Sequence, residues 1–189
     1  MAQGALTKRI IQIHVLTASY RIAGSVLVSN AGLSGLLMDH TSQFMTIMEA
    51  SLGRIHDPDF LVQRVDEIRL VKDQIHTASV RRRQDIGPKV ITRPGYERVN
   101  VFNVTITDAI YEYEGVLEWP GRFDFTALMT GGNWEYLPIF EGKVRSIVYP
   151  EMEIISDAML VNRKYVATFT HSLNKEDEDS SLPGIPLVR

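Results

Sequence analysis

Cysteine is absent from all 189 residues, which excludes disulfides, thiol nucleophiles and thiolate metal sites in one step. A large charge excess is absent too. The formal net charge of -3 gives no overall attraction to nucleic acid or an anionic membrane, so either would need a local patch. No stretch approaches the roughly 20 uninterrupted apolar residues of a membrane-spanning helix. The opening MAQGALTKRIIQIHVLTASY has too short an apolar run for a secretory core, and its charges follow the first apolar residues. A soluble, cytoplasmic protein without membrane contact is the expectation.

Catalytic signatures are equally scarce. The chain has no G-x-S-x-G, no P-loop and no G-x-G-x-x-G, so no nucleophile elbow or phosphate cradle is written into it. TGGNW (130–134) is a two-glycine turn leading into a strand. His14, His40, His56, His76 and His171 include no pair at the i, i+4 spacing of a helical metal site. IHDPDF (55–60) groups a histidine with two aspartates, but its proline fits a plain turn. No enzyme, no cofactor and no metal is expected.

What the chain does contain is alternation. YRIAGSVLV (20–28) and YEYEGVLEW (111–119) both place apolar residues at every second position around a central glycine. Period two is the signature of a half-buried strand. Upstream, Ile11, Ile13 and Val15 match Phe102, Val104 and Ile106 at the same offset, with TAS and DAI as the turns between. Downstream, Leu33, Leu36 and Leu37 match Phe125, Leu128 and Met129, each trio spaced like one helical turn, at 33–38 and 124–129. Glu49 then matches Glu141, for which a strand-end salt bridge is the expected cause. LVKDQI (70–75) matches LVNRKY (160–165). An internal duplication follows, since missing a repeat mis-assigns a fold. Gly24 and Gly115 mark a bulge or sharp bend inside their strands.

Four segments result: a first β-barrel repeat over 6–80, a basic linker over 81–95, a second repeat over 96–171, and an acidic tail over 172–189. The KEDEDSS centre of that tail is too charged to pack.

The order of motifs resembles the Sm-like and SH3-like small β-barrels. YRIAGSVLV and YEYEGVLEW resemble the glycine-centred strand of that group, and VKDQI and VNRKY resemble its closing turn. The resemblance implies a mainly β fold of two tandem small barrels, each with one short helical turn. It also implies association edge to edge into pseudo-symmetric dimers or rings. The aspartate, asparagine and arginine-glycine set of the Sm RNA site is not supplied by either repeat: Asp39 follows Met38, but no asparagine joins it. The helical turn here follows the second strand, where the Sm group places its helix before the first.

Three functions compete at this stage. The leading expectation is a non-enzymatic, oligomerising scaffold or adaptor that binds itself and a protein partner, because bare strand edges invite pairing. In that reading Leu182, Ile185, Leu187 and Val188 of the tail form an extended clip, pre-extended by the prolines among them. The alternative is an RNA- or DNA-binding module, in which Arg81, Arg82, Arg83, Lys89 and Arg93 attract phosphates and Tyr96 stacks a base. The third is a small-ligand sensor with its site between the two repeats.

Overall fold

The computed structural model describes residues 8–88, 91, 98–132 and 134–173, with Pro58, Asp59 and Leu173 described through their backbone alone. Its strands are β1 (Arg9–Leu16), β2 (Tyr20–Val28), β3 (Phe44–Arg54), β4 (Asp57–Val71), β5 (Thr77–Val80), β6 (Val99–Thr107), β7 (Tyr111–Pro120), β8 (Tyr136–Ser146), β9 (Glu153–Asn162) and β10 (Thr168–Leu173). Helix α1 (Gly32–Leu37) follows β2, and α2 (Phe125–Thr130) follows β7. Short 3₁₀ turns stand at Lys72–Gln74, Arg83–Ile86 and Arg163–Tyr165. The element order strand, strand, helix, strand, strand, 3₁₀ turn, strand thus runs twice through the chain.

The alternation explains the strands. In β1, Ile11, Ile13 and Val15 are buried while Gln12 and His14 between them are exposed. In β7, Tyr111, Tyr113, Leu117 and Trp119 are fully buried, the half-buried pattern of a strand with one face on a core. The fold is mainly β, and among the described residues no helix is long and apolar enough to cross a membrane.

Two separate closed barrels were the expectation, and the architecture differs from it. All ten strands form one antiparallel sheet in the order β10-β6-β7-β8-β9-β5-β1-β2-β3-β4, and the sheet does not close. The cause lies in β5. This short strand pairs with β1 on one side and with β9 of the second half on the other, so the halves continue into one another. β4 and β10 are left as the two outer edges.

Two apolar clusters lie against this sheet and interlock across the join. Tyr136, Ala158 and Leu160 of the second half belong to the cluster built on Ile11, Ile13, Ile47 and Leu33. Leu16 and Ile55 of the first half belong to the cluster built on Tyr113, Trp119 and Ile139. The segment read as a linker is partly packed as well, since Asp85 and Ile86 are buried.

The paired glycines have the same geometry. The β2–β3 register shifts between Ala23 and Ser25, and the β7–β8 register between Glu114 and Val116. A Cβ on Gly24 would stand 2.6 Å from Ile47 Cγ2 and 2.7 Å from the Met48 carbonyl oxygen. On Gly115 it would meet Ile139 Cγ2 at 2.6 Å and the Phe140 carbonyl oxygen at 2.7 Å. Opposite each glycine the partner strand carries an extra residue, a β-bulge. There Glu49 and Glu141 take φ of 49° and 48°. The shared cause of the two glutamates is therefore this bulge, rather than the strand-end salt bridge expected from sequence.

Candidate assembly site

The join between the halves shows what a paired edge of this sheet looks like. β5 faces β9 over four positions, with Thr77 opposite Val161, Ala78 opposite Leu160, Ser79 opposite Met159 and Val80 opposite Ala158. All eight residues are buried, none more than 4 % exposed. The Thr77 hydroxyl donates to the Leu160 carbonyl at 3.0 Å.

Polar groups fasten the ends of the join. The Asn162 amide donates to the His76 carbonyl at 2.8 Å, and its side-chain amide to the Ile75 carbonyl at 2.9 Å. The Tyr136 hydroxyl donates to the Lys72 carbonyl at 3.1 Å, the Tyr111 hydroxyl to the Thr17 carbonyl at 2.6 Å, and the Tyr165 hydroxyl to the Asp73 carbonyl. Each of these bonds crosses from one half to the other.

At the centre lies a buried pair. His76 Nδ1 stands 2.8 Å from Asp108 Oδ2, and the histidine ring stacks on Tyr165 with centroids 4.0 Å apart. The Asp108 carboxylate also accepts from the Tyr113 hydroxyl at 2.7 Å and from the amides of Ile110 and Tyr111 at 2.6 and 2.7 Å. Burial works to raise the pKa of Asp108, but the bonds from His76, Ile110, Tyr113 and Tyr111 outweigh it and hold the carboxyl below its usual range. Burial and the neighbouring Asp108 charge push the Tyr111 and Tyr113 phenols up. A carboxylate satisfied on every side and locked to a histidine has the form of a rivet. Asp108 sits in the DAI turn that the sequence shows as a hairpin connection and nothing more.

The outer edges are the counterpart of the join. Among the described residues, β4 pairs only with β3, and β10 only with β6. Along β4, Phe60, Leu61, Val62 and Val71 are exposed, and along β10, Thr168, Thr170, His171 and Ser172 are exposed. A strand with an unpaired row of N–H and C=O groups is a template for a further strand.

The arginines expected to bind nucleic acid are placed differently from one another. Arg82 donates to Asp85 at 3.1 Å, and Asp85 is held from its other side by Arg9. Arg83 pairs with Glu118, and its guanidinium stacks 3.8 Å above the Phe140 ring. Arg81 is exposed beside His14, whose pKa is lowered by partial desolvation of its ring among its neighbours and by the charges of Arg81 and Arg21. Lys89, Arg93 and Tyr96 lie outside the described residues, as do Leu182, Ile185, Leu187 and Val188 of the tail. Among the described residues no group of three or more histidine or acidic side chains comes together as a metal site. His56 packs its ring 5.9 Å from that of Tyr149.

No protein-family model, no curated protein and no solved structure matches the chain.

Proposed function

We propose that the protein is a non-enzymatic assembly scaffold, built from two copies of a duplicated small β-domain and extended by strand pairing between further copies of itself. One observation carries the reading: β5 and β9 zip the two halves together, while the strands at the corresponding places, β10 and β4, stand open. In the element order β10 holds the place of β5, and β4 the place of β9. The unpaired edges are thus the two complementary halves of the same joint. A head-to-tail contact of this kind closes into a ring where the rotation allows and otherwise runs on as a filament. Sm-like and SH3-like curvature of each half, given by the glycine bulges, is the finer form of the proposal.

The internal join sets the register. Carrying it outward puts Thr168 of one chain opposite Leu70 of the next, Phe169 opposite Arg69, Thr170 opposite Ile68 and His171 opposite Glu67.

Size-exclusion chromatography with light scattering tests the proposal on the full chain. The wild type is expected to be a defined oligomer. H171E places a like charge directly opposite Glu67, which destabilises a strand pair, and is expected to shift the peak to monomer with unchanged circular dichroism. E67K/H171E is expected to restore the oligomer. Because the chain has no cysteine, L70C/T168C can crosslink only to itself, and directly opposed strand residues lie within disulfide reach. A clean wild-type monomer at tens of micromolar would overturn the scaffold reading.

A further inference from the structure

The stretch that follows β5 does something specific to the first half. It turns through Arg83–Ile86 and folds back over the start of α1. Asp85 is held by Arg9 of β1 and by Arg82, and the buried Ile86 joins the first apolar cluster. The approach is close enough to require glycine on both sides. Gly32 has φ of +67°, and a Cβ there would stand 2.5 Å from the Gly87 nitrogen. Gly87 has φ of +109°, and its Cβ would stand 2.0 Å from the Ala31 carbonyl oxygen. An acid and an apolar residue from the chain just beyond the last strand thus occupy a seat made by β1, the start of α1 and the end of β5.

The second half has the same seat with different side chains. A cleft of about 770 Å³ opens there among the described residues, between Arg98 and Asn100 at the start of β6, Arg122, Phe123 and Phe125 at the start of α2, and His171 at the end of β10. Arg98 and Arg122 are exposed, and neither pairs with a carboxylate among the described residues. Among the described residues no acidic side chain lines the cleft. Phe125 is 48 % exposed and sits at the end of a ring array, 5.6 Å from Phe169, which stacks on Phe123 at 5.5 Å. The surface thus presents two cations without a carboxylate partner among the described residues, beside the exposed ring of Phe125.

We propose that this cleft is the seat of the chain's own C-terminal segment, residues 174–189, with its acidic stretch facing Arg98 and Arg122 and its apolar end laid on Phe123 and Phe125. Three observations select that occupant. The segment begins where β10 ends, on the wall of the cleft, as the first half's segment begins at the end of β5. It then carries Glu176, Asp177, Glu178 and Asp179, the complement of two unpaired guanidiniums. It ends in LPGIPLVR, whose Leu182 and Ile185 answer the exposed rings as Ile86 answers the first cluster. The proposal is independent of the edge pairing: the first seat is filled while β5 pairs with β9 beside it, and the Arg83–Ile86 turn also touches β9.

The test uses the full chain and its lack of cysteine. T126C/S181C places one thiol on the exposed side of α2 and one between the acidic and apolar parts of the segment. Under mild oxidation an intrachain disulfide is expected, seen as a faster-migrating monomer on a non-reducing gel. Adding R98E/R122E is expected to slow its formation about tenfold, the scale of two or three exposed ion pairs, and E176K/D177K/E178K/D179K is expected to restore it. Interchain disulfides would overturn the proposal in favour of a seat filled by a neighbour's tail. A rate indifferent to the charge reversals would overturn the seat itself. Neither result bears on the L70C/T168C crosslink, so the two proposals fail separately.

Discussion

Val161 in β9 and Leu70 in β4 stand in corresponding places, two residues before corresponding 3₁₀ turns and opposite Leu137 of β8 and Met45 of β3, yet Val161 is 1 % exposed and Leu70 is only partly buried. The same contrast separates Thr77, buried in β5, from Thr168, exposed in β10. The difference does not come from polarity, because an aliphatic side chain is matched with an aliphatic one and threonine with threonine. It comes from whether a second strand lies alongside. Burial of an edge in this sheet is a consequence of its pairing, and the pairing runs mostly through backbone groups that every residue carries.

The strongest way to break the comparison is to place a charge at matched positions on the two edges. Val161 is buried at the join and belongs to the second apolar cluster, whereas Leu70 at the outer edge is partly buried. V161D is expected to cost about 4 kcal/mol or more, enough to unfold a marginal domain, because it buries an unpaired charge. L70D is expected to cost about 1 to 2 kcal/mol in dilute solution, where its edge is open to water. Urea titrations of both variants measure the gap. Equal costs would mean that the outer edge is already covered in the wild-type protein at that concentration.

A smaller effect sharpens the same comparison at the rivet. The first half fastens its closing turn to the second through His76 and Asp108. D108N removes the charge and leaves His76 facing an amide, at an expected cost of roughly 3 kcal/mol for a broken buried pair. The sign of the pH dependence follows from the lowered pKa. A carboxyl whose folded pKa lies below its unfolded value contributes stability above the unfolded value, usually 3.8, and loses it as pH falls through the folded one. The stability difference between wild type and D108N should therefore be constant near neutrality and shrink in acid below about pH 4. Thermal melts from pH 7 to pH 3 would show it, and a difference that grew in acid would mean that Asp108 is protonated in the native state.

Much of this architecture was readable from the chain, because period two survives any rearrangement of partners. The strands around Gly24 and Gly115 and the helical turns near 33–38 and 124–129 stand where spacing put them, within a residue of Gly32–Leu37 and Phe125–Thr130. What alternation cannot encode is which edge meets which. TASV and VATFT look equally ordinary, and only the first is clamped between two strands. Asp108 was hidden for a different reason: a turn aspartate and a buried acceptor of four hydrogen bonds are the same letter. The cleft at Arg98, Arg122 and Phe125 draws on β6, α2 and β10, too far apart in sequence for spacing to assemble. The arginine run 81–83 was the most visible charge feature, but two of its members hold Asp85 and Glu118.

The least disruptive test lies at the two bulges, where the halves are most alike. Glu49 and Glu141 hold φ near +50°, a conformation that costs a residue with a Cβ roughly 1 kcal/mol and costs glycine almost nothing. Glycine also adds freedom to the unfolded chain, which works against the gain. E49G and E141G are therefore each expected to raise stability slightly, by about 0.5 kcal/mol, and by matching amounts. The matched size matters more than the sign. A bulge inherited by both halves from one parent strand should respond alike in β3 and β8, while a bulge forced by the join should respond in β8 alone, since only β8 pairs with the strand that β5 clamps. Paired denaturation curves of the two variants decide between those origins.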